Sequence, residues 1–173
     1  MRYLAIPAVM LAFATPALAA IAEPTGVQEA LRAPAGEQLD FMTQAAGVQV
    51  YTCKQKVDDA YAYAWTFVAP EAVLMEGGKN TGKHYAGPHW ESLADGSKVK
   101  GAVKQRQDGG AGNIPWLLLA GTSEGTGKYA GVTSIQRVAT KGGVEPKDGC
   151  DASKAGQELR VPYTADYYFY KKK

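Results

Sequence analysis

His84 and His89 are the only histidines of the chain, and they lie close together in the sequence. Glu91 and Asp95 follow shortly after, and the step Gly87-Pro88 could turn the chain so that the two imidazole rings converge. Imidazole and carboxylate groups are ligands that zinc and copper accept in proteins. An imidazole can also act as a general base near neutral pH. This window therefore predicts either a zinc or copper site at His84 and His89, or a general-base role for His84.

The same window also has the composition of a ligand-binding depression. It contains Trp90, and exposed aromatic side chains can stack on sugars and other rings. We therefore expect a surface depression that contains His84, with Trp90, Glu91 and Asp95 as its candidate neighbours. A purely structural alternative stays open, in which His84 hydrogen-bonds a neighbouring strand, His89 faces solvent and the aromatic residues form core.

Two further segments match signatures of catalysis or nucleotide binding only in part. Gly121 to Gly125 fit the G-x-S-x-G nucleophile elbow, but neither the following helix nor the later histidine that the elbow requires is present. Gly77 to His84 approach a phosphate loop, but a histidine stands where the magnesium-binding Ser or Thr belongs. The first segment predicts a hairpin tip. No cofactor is predicted apart from the possible zinc or copper.

The beginning of the chain has the organisation of a secretory signal peptide. Met1-Arg2 supplies a positive start, an apolar stretch runs to Thr15, and Ala17-Leu18-Ala19 is a small-x-small cleavage pattern. We predict a signal peptide over residues 1–20 and an exported, soluble protein, either periplasmic or secreted. No later segment approaches the roughly 20 apolar residues of a membrane-spanning helix.

The chain has two cysteines, Cys53 and Cys150. In an oxidising compartment an even pair indicates a disulfide. A redox or metal-binding pair is the alternative, but the sequence has no C-x-x-C spacing. A bridge between these positions would close a loop of about a hundred residues, for which the chain-entropy model gives about 4–5 kcal/mol.

The charges of the chain nearly cancel, with 19 Lys and Arg against 17 Asp and Glu. The only basic cluster, Lys171-Lys172-Lys173, is a short tail rather than a stripe along one face. This distribution predicts no nucleic-acid partner. The length suits a single domain with one core.

Apolar and polar residues alternate with the period of β-strands in most of the chain, and no segment keeps a helical period over three turns. The pattern predicts an extended lead-in over 21–36 and one domain over 37–173. Its fold class is all-β, a single antiparallel β-sandwich or partly closed β-barrel with little helix. The apolar run 114–120 is expected to be buried on both faces, with Pro115 at its start. We expect the aromatic faces of two segments to point inward, those of 61–67 and 159–169.

Seven ordered sequence blocks resemble the family known as domain of unknown function 3455, and together they cover nearly the whole chain after the signal. The family pattern includes the position of His84, whereas another residue type, such as threonine, usually stands at the position of His89. The resemblance implies a secreted or periplasmic protein without an assigned activity. The blocks begin with Gly47 to Cys53 and Pro70 to Ala72, continue with Gly82 to Glu91, Asp95 to Val99, Ile114 to Leu119 and Val132 to Gly143, and end with Val161 to Phe169.

These observations favour an exported, non-catalytic binding or envelope-associated protein, because no complete catalytic or cofactor signature is present. Its partner would be a small molecule or a cell-envelope component, and the oligomeric state stays open. The alternative is a small extracytoplasmic hydrolase or metal-dependent enzyme that uses His84 with Glu91 and Asp95. The two hypotheses differ in whether an acid reaches His84 in an open cleft.

Overall fold

The computed structural model of the protein describes residues 21–173, and the predicted signal peptide lies outside the described residues. Two short 3-10 turns, Glu29–Leu31 and Ala152–Lys154, are the helical segments of this part of the chain, and neither has the length or hydropathy needed to cross a membrane. The remaining regular structure consists of eight strands, which are β1 (Glu37–Gln55), β2 (Tyr63–Glu76), β3 (Lys79–Tyr85), β4 (His89–Ser92), β5 (Lys98–Gln107), β6 (Trp116–Glu124), β7 (Val132–Gly142) and β8 (Glu158–Lys172).

The strands form one antiparallel sheet that closes in a ring. Each strand pairs with the next one in the chain, and β1 also pairs with β8 along most of its length. Bulges interrupt the register, for example between Val50 and Tyr51 and between Val103 and Gln105, so the ring is not regular. The all-β prediction is confirmed, and the architecture is closer to the predicted barrel than to a sandwich.

Strand positions agree with the sequence patterns except at β3. Apolar and polar residues alternate over 39–45 and again over 48–53, and both stretches belong to one continuous strand, β1. No strand was expected at β3, because its sequence is mainly polar and contains Gly82. That glycine is required by packing, since a Cβ there would lie 2.6 Å from the carbonyl oxygen of Glu91 on β4.

The apolar run at β6 is buried on both faces, as expected. Leu117, Leu118 and Leu119 are all less than 9% exposed although they alternate between the two sides of the sheet. The lead-in covers the outer side, where Leu31 is 1% exposed and its carbonyl oxygen accepts a hydrogen bond from Gln136. The predicted lead-in over 21–36 is therefore an integral layer of the fold.

The two predicted aromatic faces differ in how deeply they are buried. Tyr163, Tyr167 and Phe169 of β8 are at most 3% exposed and belong to the core. In the segment 61–67, Phe67 faces the interior of the ring and packs against Tyr51, but it is 51% exposed, and Tyr61 lies in a loop and is 97% exposed. The period of two correctly indicated a strand there, but it does not specify how much of a face is covered.

The two ends of the ring differ. The end that we call the closed end carries the β2–β3, β4–β5 and β6–β7 connections and is filled by side chains. Phe41 stacks on Phe169 with ring centroids 4.6 Å apart, and Tyr129 packs edge-on against both rings. Leu74 and Ile135 complete this part of the core, and both are fully buried. The opposite end, which we call the open end, carries the other connections.

Candidate functional site

A cavity of about 840 Å³ occupies the half of the ring next to the open end. Connections β3–β4, β5–β6 and β7–β8 contribute to its wall, and the inward faces of the strands supply the rest. Most of the wall is apolar, with a small number of polar groups. The lining residues are Gln49, Tyr51, Phe67, Val68, Pro70, His84, Gly87, Pro88, Trp90, Val103, Arg106, Asn113, Ile114, Pro115, Leu117, Leu119, Arg137, Val144, Glu145 and Tyr167.

The floor of the cavity is formed by side chains that also belong to the core. Trp90 and Tyr167 are each 1% exposed, and their rings meet edge to face at a centroid distance of 5.2 Å. The indole can approach β5 and β6 because position 101 is glycine, where a Cβ would lie 2.8 Å from the Trp90 ring and 3.0 Å from Leu119. The floor is therefore a rigid, closely packed surface.

His84 lies at this floor and is 3% exposed. Its ring stacks on Trp90 at 4.3 Å, and its Nδ1 lies 2.8 Å from the carbonyl oxygen of His89. Because a carbonyl oxygen only accepts, Nδ1 carries the proton and Nε2 keeps a lone pair. Burial lowers the pKa of His84 to about 3, so the imidazole is neutral at physiological pH.

Three further polar side chains in the cavity wall have buried atoms without a hydrogen-bond partner among the described residues. They are the indole Nε1 of Trp90, the hydroxyl of Tyr167 and the amide nitrogen of Gln49, and all three side chains are at most 2% exposed. Native proteins rarely leave buried polar atoms unpaired, since each costs about 1–3 kcal/mol. Each of these atoms belongs to a side chain that lines the cavity, but the atom itself has almost no accessible surface and lies at the base of the wall.

Arg137 brings a positive charge into the same wall. It lies beside Tyr167 in the β7–β8 register, and its Nε and Nη2 donate to the carbonyl oxygen of Pro115 at 3.1 and 2.8 Å. No ion pair involves this guanidinium in the described part of the chain, although Glu145 lines the same cavity. Its positive charge is therefore not neutralised by a bonded acidic side chain, and it lies beside the Tyr167 hydroxyl.

The rim of the cavity, by contrast, is apolar and exposed. Phe67, Val68, Val103 and Val144 line the cavity and are between 37% and 51% exposed. Two charged side chains, Arg106 and Glu145, also lie at the rim. The rim therefore offers apolar contact surface, whereas the polar groups without partners lie deeper.

One tyrosine and one loop fix the shape of the rim. Tyr51 donates to the carbonyl oxygen of Gly143 at 2.6 Å, and burial, together with the charge of Glu145, raises the pKa of Tyr51 to about 12. Cys150 lies in the β7–β8 connection, as Gly143 does, and Cys53 lies in β1. Their Sγ atoms are 2.02 Å apart, which is a bonding distance, so the structure contains the predicted disulfide pair. Together these links attach the β7–β8 connection to β1 at the open end.

Glu91, a predicted neighbour of His84, lies on the outer side of the sheet. It alternates with Trp90 along β4, accepts a hydrogen bond from Tyr85 at 2.7 Å and pairs with Lys83 at 3.1 Å. The Tyr85 hydroxyl, followed by Lys83, lowers the pKa of the Glu91 carboxyl. The structure therefore separates Glu91 from His84 by the thickness of the sheet.

His89 and His84 also point to opposite sides. Register pairs Tyr85 with His89 and His84 with Trp90, so His89 belongs to the outer row, where its ring stacks on Tyr85 at 5.5 Å. No group of three or more His, Cys, Asp or Glu side chains within residues 21–173 is arranged to hold a metal ion. The imidazoles that were expected to converge are not brought together.

Asp95 lies at the closed end, remote from the cavity. Its carboxylate accepts hydrogen bonds from the backbone and hydroxyl of Ser97 and from the backbone of Lys128, and these bonds hold the pKa of Asp95 well below its usual range. Asp95 thereby joins the β4–β5 turn to the β6–β7 connection. Of the four predicted site residues, the structure brings together His84 and Trp90 and leaves Glu91 and Asp95 elsewhere.

The serine of the elbow-like motif is a strand residue. Ser123 lies near the end of β6, and its hydroxyl donates to the carbonyl oxygen of Val132 at 3.0 Å. The connection to β7 begins at Gly125, which has a positive φ of 79°. The hairpin that the sequence predicted is present at this position.

Gln49, Arg137 and Tyr167 were not identified as site residues from the sequence. They lie on three strands that are remote in the chain but adjacent in the ring, β1, β7 and β8. A signal was available for all three, because strand alternation can place Gln49 and Arg137 on the inner side, and the face of 159–169 that was expected to point inward includes Tyr167. Their convergence required knowledge of the closure between β1 and β8.

Fold and cavity together define a small antiparallel ring-shaped domain with a filled end and an end that opens into an internal pocket. The matching family model is described as "Protein of unknown function (DUF3455)" and covers residues 34–171, so the chain belongs to this family. No curated protein and no solved structure matches the chain.

Proposed function

We propose that this protein is a non-catalytic, exported binding domain that holds one small, predominantly apolar molecule inside the ring. The observation that carries the proposal is the cavity of about 840 Å³, which falls within the range of small-molecule pockets, about 300–1,000 Å³. Eight-stranded rings have interiors that either fill with side chains or hold one small ligand. Here one half of the interior is filled and the other half is open.

Rim chemistry supports an apolar ligand. Phe67, Val68 and Val103 are exposed around the opening, and a bound molecule would remove part of their surface from water. Burial of apolar surface contributes about 25 cal/mol per Å². A ligand that contacts the rim and the inner leucines would therefore gain most of its affinity from apolar contacts.

The alternative of an enzyme centred on His84 has less support from the geometry. Glu91 and Asp95, the acids on which it depended, lie on the outer side and at the closed end. A histidine with a pKa of about 3 is also a weak base at neutral pH. The disulfide pair supports the exported location, because such bonds persist in oxidising compartments.

A neutral fluorescent probe, N-phenyl-naphthylamine, tests the proposal. We expect saturable binding with one probe per protein and enhanced probe fluorescence. Val103→Trp places a bulky ring at the rim and is expected to weaken binding at least about tenfold. Val73→Trp is the matched control, since Val73 is equally exposed, at 41%, but does not line the cavity.

Two results of this experiment would contradict the proposal. If the probe fails to bind, or if Val103→Trp and Val73→Trp bind it equally well, the cavity is not a binding site. Circular dichroism and melting curves of both variants confirm that the comparison is made between folded proteins.

A further inference from the structure

We propose that the molecule held in the ring is an amphiphile with a carboxylate head group, bound head first with the carboxylate against Arg137 at the floor. This inference rests on the proposed function and specifies the chemical class and the orientation of the ligand. Its basis is the distribution of polar groups between the floor and the rim of the cavity.

The polar groups without partners at the floor are predominantly donors. Trp90 Nε1 is a donor only, the Tyr167 hydroxyl can donate, and Arg137 has no acceptor function at all. A ligand atom that satisfies them must accept hydrogen bonds. A carboxylate has two oxygens with about four acceptor positions, so it can serve several of these donors together.

Charge favours an anion over a neutral acceptor at this place. The Arg137 guanidinium has no acidic partner within 4 Å among residues 21–173, and the neighbouring His84 is neutral because of burial. Guanidinium groups bind carboxylates through charge-assisted hydrogen bonds, which are about twice as strong as neutral ones. The attraction between the guanidinium and a carboxylate is stronger at the floor than in water, because the effective dielectric constant is lower there.

Rim composition determines the orientation. The apolar side chains around the opening, such as Phe67 and Val144, suit a hydrocarbon tail, and the charges of the two rim residues Arg106 and Glu145 balance each other. A head-first monocarboxylate satisfies both regions. A dicarboxylate of the same length would place its outer charge among the apolar rim side chains, so we expect it to bind more weakly.

Three ligands of equal chain length test the inference by displacement of N-phenyl-naphthylamine: dodecanoate, dodecanol and dodecylammonium. We expect dodecanoate to bind at least about tenfold more tightly than dodecanol, and dodecylammonium to bind most weakly. Arg137→Gln is expected to remove the preference for the acid. Arg106→Gln is the matched control, because Arg106 lines the same cavity but is exposed at the rim.

A second variant guards against misfolding of Arg137→Gln, which loses the bonds to Pro115. Tyr167→Phe removes one buried hydroxyl, which lies beside Tyr163 and Arg137, and keeps the packed ring, so the fold is expected to be retained. We expect it to weaken dodecanoate binding several-fold and to leave dodecanol binding unchanged.

The results separate this inference from the proposed function. Equal affinities of the wild-type protein for dodecanoate and dodecanol would overturn the inference while the binding of the neutral probe still stands. Loss of the acid preference in Arg106→Gln, but not in Arg137→Gln, would place the head group at the rim and would also overturn it. Absence of probe binding would defeat the proposed function itself.

Discussion

At the closed end, Phe41, Tyr129 and Phe169 interlock in the interior of the ring, whereas at the open end the same sheet surrounds a cavity. β8 illustrates the contrast, because Phe169 packs within the core and Tyr167, two residues earlier, reaches the cavity floor. In one half the interior maximises apolar contact, and in the other it leaves space and polar groups. The comparison indicates that close packing and the proposed binding site lie in different halves of one sheet.

The largest expected effect tests this division directly. Phe169→Ala removes a fully buried ring from the closed end and should lower the free energy of unfolding by about 3–5 kcal/mol. Phe67→Ala, at the half-exposed rim, should cost less than about 1 kcal/mol but weaken the binding of N-phenyl-naphthylamine. Urea unfolding and probe titration measure the two quantities. Equal losses of stability in the two variants would contradict the division.

Removal of the disulfide should have the next largest effect. Cys53 and Cys150 are separated by 97 residues, so loss of the bridge is expected to cost about 2–5 kcal/mol. The double variant Cys53→Ser with Cys150→Ser, compared with wild type by chemical unfolding, measures this cost. The pairing is checked by intact mass after alkylation without reduction, and two freely alkylated thiols in exported protein would refute it.

A smaller change in the free energy of unfolding is expected when the pH is lowered. The folded protein keeps His84 neutral down to about pH 3, whereas the unfolded chain binds a proton near pH 6.5. Between these values the unfolded state binds more protons, so stability is fully present above pH 6.5 and falls as the pH decreases towards 3. Between pH 7 and pH 5 this amounts to about 2 kcal/mol.

His84→Phe should remove this part of the acid sensitivity, because the new side chain does not titrate. His89→Phe, on the outer side of the sheet, is the matched control and should leave the slope in place. The free energies of unfolding of the wild-type protein, His84→Phe and His89→Phe, measured at pH 7 and at pH 5, test this prediction. A slope that survives in His84→Phe would show that other groups are responsible for it.

The smallest effect is expected on the outer side of β4. Glu91 contacts Lys83 and Tyr85 at the surface, and exposed pairs of this kind contribute at most about 1 kcal/mol. Glu91→Gln should therefore change stability only slightly and leave probe affinity unchanged. A clear loss of probe binding would contradict the prediction, because it would show that a side chain on the outer side of β4 affects binding in the cavity.

The sequence allowed the strands to be predicted because alternation and turn residues are local properties. The β6 run and the inward face of β8 followed from hydrophobicity alone. In the window around His84, two of the predicted site residues, His84 and Trp90, line the cavity. Glu91 does not line the cavity, because it directly follows Trp90 in β4 and successive side chains of a strand point to opposite sides of the sheet.

The remaining cavity residues depend on ring closure. Arg137 and Tyr167 are neighbours in the β7–β8 pairing, but Gln49 meets them only because β1 pairs with β8, and no local pattern specifies that pairing. The filled and open halves were likewise not predictable, since side-chain volumes in both halves look similar in the sequence. Packing, rather than periodicity, determines where the space remains.

The lead-in has a practical consequence for work with this protein. The family match begins at residue 34, but Leu31 is 1% exposed and covers the outer side of β6 and β7. A recombinant fragment trimmed to the family boundaries would uncover Leu118 and Gln136, which are buried in the intact chain. Affinity tags and truncations are therefore better placed before residue 21, where they leave this layer untouched, and a fragment that starts at residue 34 is expected to be prone to aggregation.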